Sequence, residues 1–288
     1  MEGIKDIIEN LIPDRRQPEG DDYYGEDGLL YCGKCRTKKE SRIMVPDFRR
    51  DDGAKRETVV PVICQCKKEE MEAEEERRKH EEEMQRLNAL RKSSLIEEKF
   101  RNATLANFQR TEDNQKLYAV AKKYIDNFPQ MEQENQGLLF YGVVGTGKSF
   151  TAACIANELL NNRTSVVMTS FVKILQEIQK PQTDESEFMA KINSPRLLII
   201  DDLGTERNTE YALEKVYNVI DSRYRVKKPL ILTTNLSLQE MQDTPDIRYK
   251  RIYDRIFEMC YPVRAAGRSW REQEAARRYD KMKKLMEE

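Results

Sequence analysis

The sequence predicts an α/β fold: a parallel sheet flanked by helices, preceded by a small cysteine-bearing module and a charged helical linker. Three observations predict it. Short apolar runs at 138–141, 165–170 (SVVMTS), 197–200 and 229–234 (PLILTT) alternate with segments of helical period, the order that builds a parallel sheet through helical crossovers. The first run breaks into a glycine-rich turn that opens directly into a helical pattern. Charged residues, 35% of the chain against about 25% in an average globular protein, gather in 67–99 and 264–288, which leaves the middle free to form an ordinary core.

From Leu138 to Phe150 the chain reads LLFYGVVGTGKSF. Gly142, Gly147, Lys148 and Ser149 complete the G-x-x-x-x-G-K-[ST] spacing, with a further glycine at Gly145. Glycine lets the stretch Gly142, Val143, Val144, Gly145, Thr146, Gly147 turn its N–H groups toward a phosphate chain. The helix that begins Lys148, Ser149, Phe150 aims its N-terminal dipole at the same anion. Lys148 is placed for the outer phosphates and Ser149 for Mg²⁺, so the pattern implies bound ATP with its metal. A chance glycine turn is the competing reading; a buried strand before it and an amphipathic helix after it argue against that.

Roughly fifty residues on, RLLIIDDLG carries Asp201 and Asp202 to the carboxyl end of an apolar strand, where ligands sit in open parallel sheets. Asp201 is the expected outer ligand for Mg²⁺, and Asp202 is placed to polarise an attacking water. A buried strand merely capped by aspartate is the alternative. Leu213, Val216, Tyr217 and Ile220 mark the next helix, which feeds PLILTTNLS and brings Asn235 to a third strand end. An amide there can reach a γ-phosphate, although N-L-S also reads as a cap. In YKRIYDRIFEMC, Arg251 and Arg255 share a helix face; one of them can reach a neighbouring subunit's nucleotide, against a solvated basic face.

Ile4, Ile7, Ile8 and Leu11 predict a short amphipathic helix ending at Pro13, followed by a polar acidic loop over 14–27. YCGKC then supplies Cys32 and Cys35, and VPVICQC supplies Cys64 and Cys66. Four thiolates make a closed tetrahedral Zn²⁺ site with no position for water, hence a structural one. A redox-active C-x-x-C lacks the surrounding βαβ pattern, and His80, the single histidine, is either a replacement ligand or a solvated helix residue. The connector KKEEMEAEEERRKHEEEMQRLNALRK has no Gly or Pro and sets Glu74/Arg78, Glu75/Lys79 and Glu82/Arg86 at i,i+4, as in an exposed helix. Leu117, Val120, Ala121 and Tyr124 mark a lead-in helix, and Cys154 and Cys260 read as small core residues.

Net charge is −1, so nucleic-acid affinity must come from local patches. No apolar stretch approaches a membrane span, no secretory segment opens the chain, and the cysteine pattern is that of a reduced protein; the expected location is the cytoplasm. The expected division is a module over 1–70, a linker over 71–94, a core over 95–275 and a basic helical tail over 276–288.

Taken in order, GVVGTGKS, LLIIDDLG, LILTTN, RIYDRI and GRSWR resemble the AAA+ bacterial helicase loaders of the DnaC/DnaI type, whose core the IstB-type insertion-sequence ATPases share. The resemblance spans roughly 95–275, and the cysteine module is similar to the zinc-containing helicase-binding domain of DnaI-type loaders, with different ligand spacing. It implies an AAA+ sheet, a slow Mg·ATP switch, a subunit-bridging arginine at Arg255 that supports self-association, and a second sensing arginine at Arg271. It implies a hexameric replicative helicase and single-stranded DNA as partners, with Phe171, Thr209 and Tyr211 toward the DNA, although Phe171 reads equally well as core. Two features depart from the family. Asp202 stands where many AAA+ motors have glutamate, and the tail after Arg271 is too short for a full lid domain. The alternative implied by the shared core is a transposition regulator acting on duplex DNA.

Overall fold

The computed structural model describes residues 17–47, 54–204 and 209–287; the helix expected over 4–11 lies outside the described residues. The chain divides into two compact units, Met1–Met84 and Gln85–Glu288.

In the first unit, β1 (Tyr23–Tyr24) pairs antiparallel with β2 (Leu30–Tyr31), and β3 (Glu40–Pro46) with β4 (Lys55–Pro61). β1 falls inside the stretch expected to be a loop. The turn that closes it is local chemistry: Asp27 Oδ1 accepts from Leu29 N at 3.1 Å, and Gly28 takes φ +69°. Among the described residues of this unit the buried apolar ones are Leu29, Leu30, Cys32 and Cys64, and the buried Glu40 carboxylate accepts from Leu30 N at 3.0 Å.

α1 (Gln65–Ser93) crosses the division and buries no residue. Its sequence explains both facts: charges all round and no apolar stripe. Lys79 pairs with Glu75 at 2.7 Å as expected, whereas Arg78 turns to Glu82 rather than Glu74, at 3.8 Å. Each such exposed pair contributes only a few tenths of a kcal/mol.

The second unit is built on a five-stranded sheet in the order β6-β7-β8-β5-β9, every pair parallel. The strands are β5 (Gly137–Tyr141), β6 (Val166–Ser170), β7 (Leu197–Leu203), β8 (Leu230–Thr234) and β9 (Cys260–Arg264). Alternation sends Leu138 and Phe140 to one face, against α2 (Gln115–Asp126) and α4 (Lys148–Asn161). Leu139 and Ile200 go to the other, against α5 (Phe171–Ile178), α7 (Glu210–Arg225) and α9 (Ile247–Met259). The short helices α3 (Phe128–Gln133), α6 (Glu185–Asn193) and α8 (Leu238–Gln242) fill the connections, and α10 (Trp270–Glu287) follows β9. Cys154 and Cys260 are buried, as expected.

β9 is a strand that the apolar pattern does not announce. Its Pro262 breaks the run, and proline is tolerated because β9 is the outer strand, paired only with β5. At the opposite edge, Met168 N of β6 donates to Ser94 O at 2.8 Å.

Arg223 of α7 is fully buried and donates to the carbonyls of Asn193, Pro195 and Arg196 at 3.0 Å and of Pro229 at 2.9 Å. Burial pulls its pKa down to about 10, so it stays charged and pins the loops that enter β7 and β8. No helix among the described residues is long and apolar enough to cross a membrane.

Candidate functional site

Parallel pairing brings the strand ends to one edge. Tyr141 of β5 lies beside Thr234 of β8, and Thr234 beside Leu203 of β7, so the turn after β5, the aspartates of β7 and Asn235 meet there. The turn is held by backbone that only glycine permits. Gly142 and Gly145 take φ +130° and +82°, and a Cβ on them would stand 2.5 Å from Ala265 O and 2.2 Å from Ser269 Oγ. That close approach docks 265–270 on the loop, with Trp270 N donating to Gly145 O at 2.9 Å. Gly147 is left-handed at φ +93° and forms the N-cap of α4. Thr146 is buried and donates to Val143 O at 2.9 Å, whereas Val143 and Val144 are exposed at the loop tip.

Lys148 is buried and donates through Nζ to Gly142 O and Val143 O at 2.8 Å and to Asn235 Oδ1 at 2.9 Å. Desolvation lowers its pKa, and Asp202 and Asp201 oppose that shift. Asn235 is therefore joined to the P-loop lysine; the helix cap in N-L-S is Ser237, which forms a capping box with Glu240.

The two aspartates part company. The β7–β8 register shifts between Ile200 and Leu203, and Asp202 adopts φ +58°. Asp202 N donates to Thr233 Oγ1 at 2.9 Å, and the same hydroxyl donates to Asp201 Oδ1 at 2.6 Å. Asp202 consequently lines the cavity, while Asp201 is satisfied by Thr233. Desolvation raises the Asp202 pKa and Asp201 adds to it, with Lys148 opposing.

The cavity beside the loop has a volume of about 1000 Å³. Val144 through Phe150, Asp202, Asn235 and Arg271 all line it, as the sequence expects of one site. Phe100, Phe108 and Trp270 also line it, as do Arg277 and Arg278 from the tail. Phe100 and Phe108 show in the sequence only as apolar anchors; no spacing ties them to a glycine loop some forty residues later. The glycine conformations, the buried lysine and this volume fit a nucleoside triphosphate; Ser149 and Asp202 line the cavity with oxygen groups that could meet its metal, whereas Asp201, expected beside them, does not line it.

Arg255 is outside the cavity, on α9, and pairs with Asp221 of α7 at 2.9 Å. Of the residues expected toward DNA, Phe171 is corrected: its ring is 1% exposed in the core, packed as the first of the periodic set Phe171, Ile174, Leu175, Ile178, and cannot stack on a base. Thr209 caps α7, accepting from Ala212 N at 3.1 Å. Tyr211 is 41% exposed, with Lys215 Nζ 5.2 Å from its ring centre.

In the first unit, the Sγ atoms of Cys32, Cys35, Cys64 and Cys66 all lie within 4.8 Å of one another. Cys32–Cys66 and Cys64–Cys66 are 3.6 and 3.5 Å apart, close to the ~3.8 Å edge of a tetrahedron with Zn–S bonds of about 2.3 Å. Cys35 Sγ and the Thr37 hydroxyl share a hydrogen bond at 3.1 Å, which with backbone donors lowers the Cys35 pKa to about 5. Cys66, facing Cys35 and then Cys64, is pushed up to about 12. Four thiols this close cannot all ionise without a cation, and the donor set fits zinc. His80 is exposed on α1, outside this group.

A family model described as IstB-like ATP binding protein matches residues 64–278. The Replicative helicase loader DnaI of Bacillus subtilis (strain 168) is 26% identical over 206 residues, 66% of this chain and 65% of the relative. The Replicative helicase loader DnaC of Escherichia coli (strain K12) is 26% identical over 145 residues, 49% of this chain and 58% of the relative. The chain thus spans less than two thirds of the length of either. A crystal structure of DnaI superimposes with a TM-score of 0.53 at 23% identity, over 62% of this chain and 98% of that one, and is similar in fold.

Proposed function

Because the chain belongs to the IstB-like ATP-binding family, matched over 64–278, we propose that it is an ATP-dependent loader of a hexameric replicative helicase, acting in the cytoplasm at replication initiation. The observation that carries this reading is the hydrogen bond from Lys148 to Asn235 across the glycine loop. A triphosphate drawn to Lys148 competes for that bond, so occupancy can be read at the end of β8, as a nucleotide switch requires. The relatives named as helicase loaders support the same role.

Bound Mg·ATP supplies the triphosphate and its hydrolysable anhydride. Gly142 through Phe150 would cradle it, Ser149 would hold its metal with Asp201 behind as an outer ligand, and Asp202 would orient water for slow turnover. Arg271, at the cavity wall, senses the nucleotide, and Arg255 acts on the nucleotide of a neighbouring copy. Zinc on Cys32, Cys35, Cys64 and Cys66 holds the 1–70 module that grips the helicase, 71–94 is the linker, 95–275 the ATPase core and 276–288 the tail. Single-stranded DNA passes the start of α7, where Tyr211 offers an exposed ring and Thr209 marks the helix N-terminus.

The test is retention of a hexameric helicase by the full chain with ATP, and its loss with Cys32→Ser. No retention in either nucleotide state sinks the loader reading. The IstB-like match also supports a second reading, a transposition-regulating ATPase on duplex DNA, which predicts duplex-stimulated turnover and no helicase complex.

A further inference from the structure

The resting place of Arg255 on its own subunit carries a consequence for assembly. Its Nη2 lies 2.9 Å from Asp221 Oδ1 and donates to the Tyr217 hydroxyl at 3.0 Å. Its Nη1 donates to Arg251 O at 3.2 Å, and its Nε is buried with no hydrogen-bond partner. The guanidinium stands 4.8 Å from the Tyr217 ring centre and 5.8 Å from that of Tyr224. The Arg255 side chain is 25% exposed, and that of Asp221 is 11% exposed.

Arginine binds an oxyanion most strongly through a fork of two N–H groups, either Nη1 with Nη2 or Nε with Nη2. Both forks use Nη2, and Nη2 is committed to Asp221 and Tyr217. Arg255 therefore cannot present a fork to a phosphate while that pair stands. Release does not strand the carboxylate, because Asp221 Oδ2 is also bound by Arg225 Nε at 2.7 Å. A buried acid with two arginine partners can give up one and remain paired, so the arrangement has two stable positions.

We propose that Asp221 and Tyr217 form a cis latch that stores Arg255 on its own subunit and sets the threshold for ATP-dependent self-association. The proposal rests on the reading of Arg255 as an arginine that acts on a second copy. In the latched position the chain is a poor partner. A neighbour presenting bound triphosphate competes with Asp221 for the guanidinium, and Arg225 then neutralises the carboxylate left behind. Asp221 is a positioning residue with a sign opposite to the usual one: removing its charge promotes assembly. A merely structural ion pair predicts the reverse, since its loss loosens α7 from α9.

The test is sedimentation of the full chain over a concentration series with Mg·ATP, with turnover followed in parallel. Asp221→Asn shifts the midpoint of association about 10-fold toward lower protein concentration, the size of one charge-assisted hydrogen bond. Tyr217→Phe, which keeps the ring and removes the hydroxyl, shifts it in the same direction by about 3-fold. The gain disappears in Asp221→Asn/Arg255→Ala, which matches Arg255→Ala alone. A folded Asp221→Asn variant with unchanged or weaker association overturns the latch; if that variant does not fold, the sign of Tyr217→Phe decides in the same way. Arg255→Ala with unchanged association and turnover removes the trans-arginine reading itself, so the two failures are told apart.

Discussion

Strands β5, β6 and β8 bury almost every residue they contain, and the glycine loop hangs from that sheet; the four thiols hang from two short hairpins in which Leu29 and Leu30 are the buried aliphatic residues among those described. One site is shaped by a core that exists without its ligand. The other has little core of its own, and the groups that meet at its centre are the very ones a metal would join. The contrast teaches where ligand binding and folding are the same event. An ion held by the four thiols would be part of the first unit's fold, whereas a nucleotide would bind on a sheet whose core does not depend on it.

The sharpest way to break this comparison is to deprive the first unit of metal and of a thiolate that would hold it. Structural zinc supplies on the order of 10–16 kcal/mol to small zinc modules, far more than Leu29 and Leu30 can supply by burial. Chelation, or Cys32→Ser, should release zinc and erase amide protection in β3 and β4, while nucleotide binding by the second unit survives. Hydrogen exchange on the full chain reads both units at once. Intact protection in β3 and β4 without metal would show that the hairpins stand unaided.

The converse experiment weakens the core. Arg223→Met keeps the aliphatic stem and leaves the carbonyls of Asn193, Pro195, Arg196 and Pro229 without their donor. A loss of about 3 kcal/mol in unfolding free energy follows. Trp270 is the single tryptophan and lies in the second unit, so its fluorescence in a urea titration follows that unit, and zinc content should not change.

Lys148→Ala sharpens the comparison from the ligand's side. Removing the buried amine takes away the charge that meets the outer phosphates, and ATP affinity should fall at least about 100-fold, near 2.7 kcal/mol. Asn235→Ala leaves the amine in place and should cost about 10-fold. Titration with a fluorescent nucleotide measures both, and equal losses in the two variants would mean that Asn235 holds the phosphate itself rather than the lysine.

The same contrast governs what could be read from the sequence. Strands β5 to β8 were legible because each is a continuous apolar run between turn residues, the pattern of a strand buried on both faces. β9 was not, because Pro262 and two exposed positions hide a strand covered on one edge only. The glycine loop and the aspartates were legible from spacing, but not that Asp202 alone lines the cavity while Asp201 turns to Thr233, which depends on the bulge between Ile200 and Leu203 and on a residue of another strand. Phe108 and Trp270 meet at the cavity only because residues distant in sequence fold onto the loop. Phe171 teaches a different lesson: its helical period with Ile174 and Ile178 left core and DNA-facing readings equally open, and its burial decides for core. β1 escaped because two exposed tyrosines in an acidic stretch carry no periodic signal.

The smallest expected effect concerns how the second unit responds to acid. Glu132 of α3 pairs with Arg196 just before β7 at 2.8 Å, and that hydrogen-bonded partner holds the carboxyl below the ordinary glutamate range and raises the arginine. A carboxylate whose folded pKa is depressed contributes stability above its unfolded pKa, here about 4.5, and loses that contribution as pH falls through the lower folded value. Because Arg196 is 44% exposed, solvent screening limits the pair to less than about 1 kcal/mol. Glu132→Gln should therefore lower unfolding free energy slightly at neutral pH and flatten its fall below about pH 4.5, with the Trp270 transition as readout. The thiol site gains nothing from this pair, so metal release on acidification should follow the same course in variant and parent. A variant that retains the parent's full acid sensitivity in the Trp270 transition would show that carboxylates elsewhere in the second unit carry it.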